Sequence, residues 1–222
     1  MCLIFWRRRR GPEMLVDLKV SEFVNRLGAG TPTPGGGSAA ALAGSLAAAL
    51  GGMVCELTLD RTKYETVRPE MEKARDTLAG LRKDLLALVD RDSDAYDEVT
   101  KATKLPKETP AEKAARQQAL GKANQFATEI PVKTAESCLA VMEQVKVVAE
   151  KGIPNAASDA GVAAHLAHTG VSGAVLNVRI NLSAIPDQEL AGRIESRVAR
   201  IAREAARVLS ETEAIVSARL KR

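Results

Sequence analysis

Apolar residues recur along most of the chain at three- and four-residue intervals, the spacing of an amphipathic α-helix. No segment shows the strict alternation of a half-buried strand. Glycine and proline clusters interrupt the pattern and set the helix boundaries, and Pro131 is expected to begin or kink a helix. The predicted helices cover about residues 15–27, 38–59, 69–103, 111–129, 131–151 and 155–182, with a last one after Pro186. The pattern therefore predicts an all-α fold, a single-domain antiparallel helical bundle with long helices.

The longest predicted helix, over residues 69–103, carries one acidic residue within its apolar stripe. Asp92 occupies a stripe position, whereas Asp90 and Asp94 fall on the other face and are expected to be solvated. The stripe consists of Leu78, Leu81, Leu85, Leu88, Asp92, Ala95, Val99 and Ala102. A carboxylate inside a bundle is costly unless it is paired, and desolvation raises its pKa. Asp92 is therefore either a proton-transfer group near neutral pH or a structural carboxylate paired with a buried Arg or Lys.

A glycine-rich turn, TPTPGGGS at residues 31–38, precedes an alanine-rich helix for which Ser38 is the expected N-cap. Free N–H groups at a helix start favour an anionic or electron-rich ligand, and glycines let a flat ligand approach the backbone. The turn lacks the Gly-Lys-Ser/Thr of a Walker A loop and the GxGxxG of a dinucleotide fingerprint. Gly35, Gly36, Gly37 and Ser38 therefore form either one wall of a ligand site or an ordinary helix-start turn.

Polar residues at the two ends of the helix over 155–182 are further candidates. Asp159 and Asn177 fall near one face, separated by small residues, which is typical of a ligand cleft or of polar contacts between helices. Lys107, in the loop after residue 103, could reach an anionic ligand or be merely solvated. His165 and His168 are three residues apart but lack an evident third ligand, so no metal site is predicted.

The composition narrows the class of protein. Of the 222 residues 45% are hydrophobic but only 3% are aromatic, which favours helices over a sheet. The net charge is +4, and residues 1–13 supply +3 of it through Arg7 to Arg10 and Glu13. The rest of the chain therefore has a net charge close to zero, which argues against a nucleic-acid partner. Arginines on the last helix alternate with glutamates, which indicates a solvated, salt-bridged face rather than an RNA-binding one.

Three further features of the sequence indicate in which cellular compartment the protein is expected to function. Residues 34–55 carry no charge, but they are mostly Ala and Gly and indicate a buried central helix rather than a membrane span. Cys2, Cys55 and Cys138 are odd in number and scattered, which suits a reducing cytoplasm. Residues 1–13 fit neither a signal peptide nor a helix, and we expect a disordered extension or a start codon at Met14 instead. The helical domain would then span residues 14–222.

An ordered series of motifs covers nearly the whole chain from about residue 15 to 220. It runs from TPGGGSAAALAGSLAAALGGMV (33–54) and Lys63-Tyr64 through DRDSDAY (90–96), LPKETPAEK (105–113), NAASDAGVAA (155–164) and GAVLNVRINL (173–182). This series resembles the methenyltetrahydrofolate cyclohydrolase and formiminotetrahydrofolate cyclodeaminase family. The resemblance implies an all-helical, usually dimeric enzyme that uses a folate substrate and needs no metal or redox cofactor.

The resemblance also implies site residues and two reactions. It places the family's proton donor and acceptor on Asp92, with Gly35 to Ser38 as a wall of the folate cleft. By position and charge, Lys63 and Lys107 are candidates for binding the glutamate carboxylates, and Asp159 for bonding to the pterin or orienting a neighbouring group. The reactions are hydration of 5,10-methenyltetrahydrofolate to 10-formyltetrahydrofolate and loss of ammonia from 5-formiminotetrahydrofolate. Because no formiminotransferase module accompanies these motifs, we expect the cyclohydrolase, with the cyclodeaminase and a non-enzymatic helical scaffold as alternatives.

Overall fold

The computed structural model describes residues 14–221, so the prediction for residues 1–13 lies outside the described residues. Within this range the chain forms α-helices and short 3-10 turns and contains no strand. The helices are α1 (Val20–Leu27), α2 (Gly36–Leu59), α3 (Arg68–Thr103), α4 (Pro110–Lys151), α5 (Ala157–Leu182) and α6 (Gln188–Leu220). The predicted all-α class is confirmed.

Helices α2 to α5 form an up-and-down four-helix bundle, and α6 packs against α4 and α5. Helices α3 and α5 run antiparallel to the other long helices: Ser38 and Ser45 of α2 bond to Val89 and Arg82 of α3. Small residues let α2, α4 and α5 approach closely. A Cβ at Gly170 of α5 would lie 2.6 Å from Cys138 Sγ on α4 and 3.0 Å from the carbonyl oxygen of Ala40 on α2. The alanine- and glycine-rich segments therefore build the centre of the bundle.

Helix α2 passes the length and composition test for a membrane span, but 56% of its most apolar window is buried inside the bundle. Its neighbours α3 and α5 cover that buried side. The helix begins at Gly36 with Gly35 as N-cap, so the N-cap predicted at Ser38 is wrong. The Ser38 side chain is instead fully buried, and its hydroxyl oxygen lies 3.0 Å from the carbonyl oxygen of Val89 on α3.

Helix α4 runs without interruption through Pro131, so the prediction that this proline begins a new helix is wrong. Proline lacks the N–H that would bond to the carbonyl of residue 127, four positions earlier. The side-chain Nδ2 of Asn181 donates to that carbonyl of Ala127 at 2.8 Å. A side chain from α5 thus satisfies the acceptor that Pro131 leaves free, and α4 can continue.

The N-terminal segment differs from the prediction of one amphipathic helix over 15–27. A 3-10 turn at Leu15–Asp17 precedes the short α1, in which only Phe23 is buried, while Val20 is 82% exposed. Asp90, predicted to be solvated, is half-buried and accepts a hydrogen bond from the backbone N–H of Leu15. The carboxylate of Asp90 therefore ties this segment to α3, whereas Asp94 is exposed as expected.

Candidate active site

A cavity of about 350 Å³ lies at the end of the bundle where α2 begins. The turn before α2 supplies Pro32, Thr33 and Gly35, and the other walls come from the first turn of α2, the middle of α3 and α4, and the end of α5. Its charged lining residue is Asp92; the remaining lining side chains are apolar, hydroxyl or carboxamide groups. Its volume is in the range typical of small-molecule sites.

One oxygen of the Asp92 carboxylate is fixed by the start of α2. Oδ2 accepts hydrogen bonds from the backbone N–H of Ser38 at 2.8 Å and from the Ser38 hydroxyl at 2.9 Å. No hydrogen bond from the described residues reaches Oδ1 of Asp92. The carboxylate is therefore anchored through one oxygen and can exchange a proton through the other.

The position of Asp92 also decides its acidity. Burial raises the pKa of the carboxyl above its usual value, and the two hydrogen bonds from Ser38 oppose that rise. No buried Arg or Lys pairs with this carboxylate in the described part of the chain, so the structural ion-pair alternative has no partner here. A carboxyl whose pKa is shifted upward by desolvation is suited to proton transfer nearer neutral pH.

Glycine at position 37 is required by this arrangement. A Cβ there would overlap the Asp92 carboxylate, so any other residue would displace it. At Gly36 a Cβ would lie 3.4 Å from Nδ2 of Asn177, an ordinary contact distance. The triple glycine therefore serves first to let the carboxylate of α3 lie directly against the first turn of α2.

The structure brings together six of the residues singled out from the sequence. Asp92, Gly35, Gly36, Gly37 and Asn177 line the cavity, and Ser38 lies beneath it as the partner of Asp92. These residues come from α2, α3 and α5, which meet at one end of the bundle. The grouping predicted around the triple-glycine turn is thus present as one site.

Three other candidates do not line the cavity. Lys63 follows the far end of α2, a 24-residue helix about 36 Å long, and its ammonium lies over the ring of Tyr64. Asp159 precedes Asn177 by 18 residues on α5, which separates them by about 27 Å along the helix axis. Asp159 therefore does not line this cavity within one chain, and its role toward the pterin or toward a neighbouring group stays a prediction.

Lys107 is exposed in the loop between α3 and α4, on the side of the bundle that carries the cavity. It lies beyond Thr103, about 16 Å along α3 from Asp92. It does not line the cavity, and its contact with a glutamate tail stays a prediction.

Sequence reasoning missed two polar lining residues, Tyr96 and Asn124, and assigned no role to a third, Asn181, which lies four residues beyond Asn177 on the same helix. Tyr96 follows Asp92 by one helical turn and belongs to the same motif, so its i+4 spacing could have indicated it. Asn124 is one polar residue among many on α4 and carried no signal.

The last helix carries the salt-bridged face predicted from its alternating arginines and glutamates. Arg197 pairs with Glu136, and Arg207 with Glu204 and Glu211, as predicted for a salt-bridged face. His165 lies 3.4 Å from Glu213. Among residues 14–221 no group of three or more His, Cys, Asp or Glu side chains is placed to hold a metal ion.

The chain is similar in sequence to known proteins that all belong to one family. Residues 19–200 match the family model described as formiminotransferase-cyclodeaminase. A methenyltetrahydrofolate cyclohydrolase from Methylorubrum extorquens is 40% identical over 172 residues, which are 78% of this chain and 83% of that protein. The formimidoyltransferase-cyclodeaminase of Rattus norvegicus is 35% identical over 196 residues, 88% of this chain but 36% of that protein. The chain therefore spans about a third of the bifunctional relative.

The fold has a counterpart in a crystal structure of formiminotetrahydrofolate cyclodeaminase from Thermotoga maritima. The two chains superpose with a TM-score of 0.82 at 27% sequence identity. The match covers 91% of this chain and 97% of that one. The arrangement of helices around the cavity is thus shared over nearly the whole length.

Proposed function

Because the chain belongs to the formiminotransferase-cyclodeaminase family, we propose that it is a folate one-carbon enzyme that hydrolyses 5,10-methenyltetrahydrofolate to 10-formyltetrahydrofolate. The observation that carries the chemistry is the Asp92 carboxylate, fixed through Oδ2 at the wall of a small cavity with Oδ1 free. A non-enzymatic scaffold would not need such a polar cavity around Asp92. The relative named a cyclohydrolase is 40% identical to this chain, against 35% and 27% for the two reported proteins named cyclodeaminases, which favours hydrolysis over deamination.

The reaction needs one group that first accepts and then donates a proton. Oδ1 of Asp92 takes a proton from water as the water oxygen bonds to the carbon between N5 and N10. The bond from this carbon to N5 then breaks, and Asp92 returns the proton to N5. Loss of the hydroxyl proton leaves the formyl group on N10 and releases one proton overall. The negative carboxylate also stabilises the cationic substrate by charge.

A spectrophotometric assay tests this function. Wild-type protein is expected to remove the absorbance of methenyltetrahydrofolate faster than the uncatalysed reaction, and Asp92→Asn to lose that activity while remaining folded. Asp94→Asn, one helical half-turn away and exposed, is the matched control and is expected to keep full turnover. Full activity in Asp92→Asn would exclude this carboxylate from the mechanism.

Formiminotetrahydrofolate cyclodeaminase activity is the second candidate. The T. maritima protein is nearly the same length as this chain and is named a cyclodeaminase, so the length of the aligned region does not separate the two reactions. The same carboxylate could protonate the departing ammonia. Appearance of methenyl absorbance from 5-formiminotetrahydrofolate, without loss of added methenyltetrahydrofolate, would favour deamination.

We further propose that the protein works as a homodimer in the cytoplasm, with the folate and water as the reactants and no metal or redox cofactor. Exposed large hydrophobic residues on the neighbouring helices α2 and α5 support the dimer. They are Leu46, Met53, Leu57, Val162, Leu176 and Ile180. The free thiols of Cys55 and Cys138, both buried, fit a reducing compartment.

A further inference from the structure

Three asparagines line the cavity, and each has its amide nitrogen tied to a backbone carbonyl. Nδ2 donates from Asn177 to Gly173 at 2.8 Å, from Asn181 to Ala127 at 2.8 Å, and from Asn124 to Ala184 at 3.3 Å. A carbonyl oxygen can only accept, so the atom facing it must be the nitrogen and the amide orientation is fixed.

The side-chain oxygens of these asparagines remain available. No hydrogen bond within residues 14–221 is donated to any of the three Oδ1 atoms, and none of them is a buried atom without a partner. Each of these oxygens therefore keeps some exposure to solvent, and all three residues line the cavity. Together with Oδ1 of Asp92, the side chains present four acceptor oxygens, and no Lys, Arg or His lines the cavity.

Such a lining selects a ligand that presents N–H donors and positive charge. The pyrimidine ring of a reduced pterin offers a 2-amino group and an N3–H on one edge, and the methenyl form of the folate is cationic. We propose that the carbonyl oxygens of Asn124, Asn177 and Asn181 recognise the N–H groups of the pterin and so direct the methenyl carbon to Asp92. This recognition rests on the proposed function, since it assumes a folate in the cavity.

Asn177 gives the cleanest test, because its removal leaves no backbone carbonyl without a donor. Gly173 and Asn177 are four residues apart within α5, so the carbonyl of Gly173 keeps the helical hydrogen bond from the backbone of residue 177. Substitution of Asn181 or Asn124 would instead leave the carbonyl of Ala127 or Ala184 without that hydrogen-bond donor. A loss of folate binding could then not be distinguished from a loss of stability.

The experiment compares Asn177→Leu, which removes the acceptor, with Asn177→Asp, which keeps an acceptor oxygen in a side chain of the same shape. Loss of a hydrogen bond to a buried donor of the ligand is expected to raise KM for methenyltetrahydrofolate about 10- to 100-fold in the Leu variant, with a smaller change in kcat. The Asp variant loses the donor to Gly173, but it keeps an acceptor oxygen and adds a negative charge that favours the cationic substrate, so its KM is expected to rise much less than that of the Leu variant. Asn155→Leu is the control, because Asn155 is exposed in the 3-10 turn that precedes α5, far from the cavity.

Calorimetric titration with 5-formyltetrahydrofolate, a stable reduced folate, separates recognition from catalysis. If wild type binds it and Asn177→Leu loses binding, the recognition stands even where neither substrate is turned over, and only the proposed reaction fails. Unchanged KM and binding in a folded Asn177→Leu, or equal losses in the Leu and Asp variants, would overturn the recognition. If the wild-type protein bound no folate at all, both the proposed recognition by the asparagines and the proposed function would be overturned.

Discussion

At the scale of single residues, the site depends on a contact that only glycine permits. The Asp92 carboxylate lies against the first turn of α2, where residue 37 has no side chain, and this lets Ser38 hold Oδ2 with two hydrogen bonds. The position is then set by backbone contact rather than by an ion pair. Such anchoring leaves the carboxylate unneutralised, which is useful if it must exchange protons.

Replacement of Gly37 by alanine should therefore abolish activity without unfolding the bundle. The added methyl would overlap the Asp92 carboxylate, and displacement of a proton-transfer group commonly costs about 100-fold or more in rate. Gly52→Ala is the matched control, because it lies in the same helix with open space around it and should stabilise α2 by about 0.5–1 kcal/mol. Turnover and thermal melting of both variants check this, and full activity in folded Gly37→Ala would contradict the close contact.

The hydroxyl of Ser38 should set the pH at which the enzyme becomes active. Burial raises the pKa of Asp92, and the Ser38 hydrogen bonds lower it, so Ser38→Ala is expected to raise that pKa further. The ionised form is the base, so activity falls as pH drops through the pKa. The acid limb of the kcat profile should consequently move to higher pH in the variant.

Ser45→Ala is the control for this profile. Ser45 is a buried serine two turns further along α2, and its hydroxyl donates to Arg82 rather than to the site. Its acid limb should coincide with that of wild type. If both variants shift equally, or Ser38→Ala shifts to lower pH, the hydrogen bond to Asp92 does not control the titration.

At the scale of elements, a strong apolar stripe was sufficient to predict a helix but not its surroundings. The bounds of α3 agree with the prediction to within one residue, because the stripe continues for many turns between clear breaks. The apolar face of α1 has the same periodicity, yet Val20 and Val24 remain exposed because no helix of the described chain covers them. Hydrophobic periodicity predicts that a helix has an apolar face, but it does not predict which element packs against that face.

The continuity of α4 through Pro131 rests on a partner remote in sequence, which local rules could not predict. Asn181→Leu should leave the carbonyl of Ala127 without a donor and destabilise the fold by about 1–3 kcal/mol. In a Pro131→Ala background the backbone N–H of residue 131 can bond to that carbonyl, so the same substitution should cost much less. Urea unfolding of the four proteins measures this coupling, and additive effects would show that Asn181 does not replace the missing bond.

At the scale of the whole molecule, the residues at the centre of the site could be predicted from the sequence better than the residues around it. Asp92 and the triple glycine could be predicted, because one breaks an apolar stripe and the other marks a helix start. Their meeting with Asn177 depends on α2, α3 and α5 lining up at one end of the bundle. Lys63 and Asp159 lie away from this cavity, which charge and family motif could not show, because neither tells which end of a long helix a residue shares with its neighbours.

An uncovered apolar surface is formed by α2 and α5, and it is expected to be the homodimer interface. Residues 34–55 contain no charge, so the outer side of α2 offers Leu46 and its neighbours without the polar residues that keep a helix face in water. Leu176 on α5 is 65% exposed. Burying such a face against a second copy is the arrangement that twofold symmetry makes self-complementary.

Sedimentation should therefore show a dimer for wild type and a monomer for Leu46→Glu or Leu176→Glu, because a charge buried in an apolar interface without a partner is strongly unfavourable. Val20→Glu is the control, since it alters the other exposed apolar face, on α1, and should remain dimeric. Dissociation by Val20→Glu alone would move the interface to α1. Because Ile180 of the same face also lines the cavity, loss of the dimer is expected to raise KM as well.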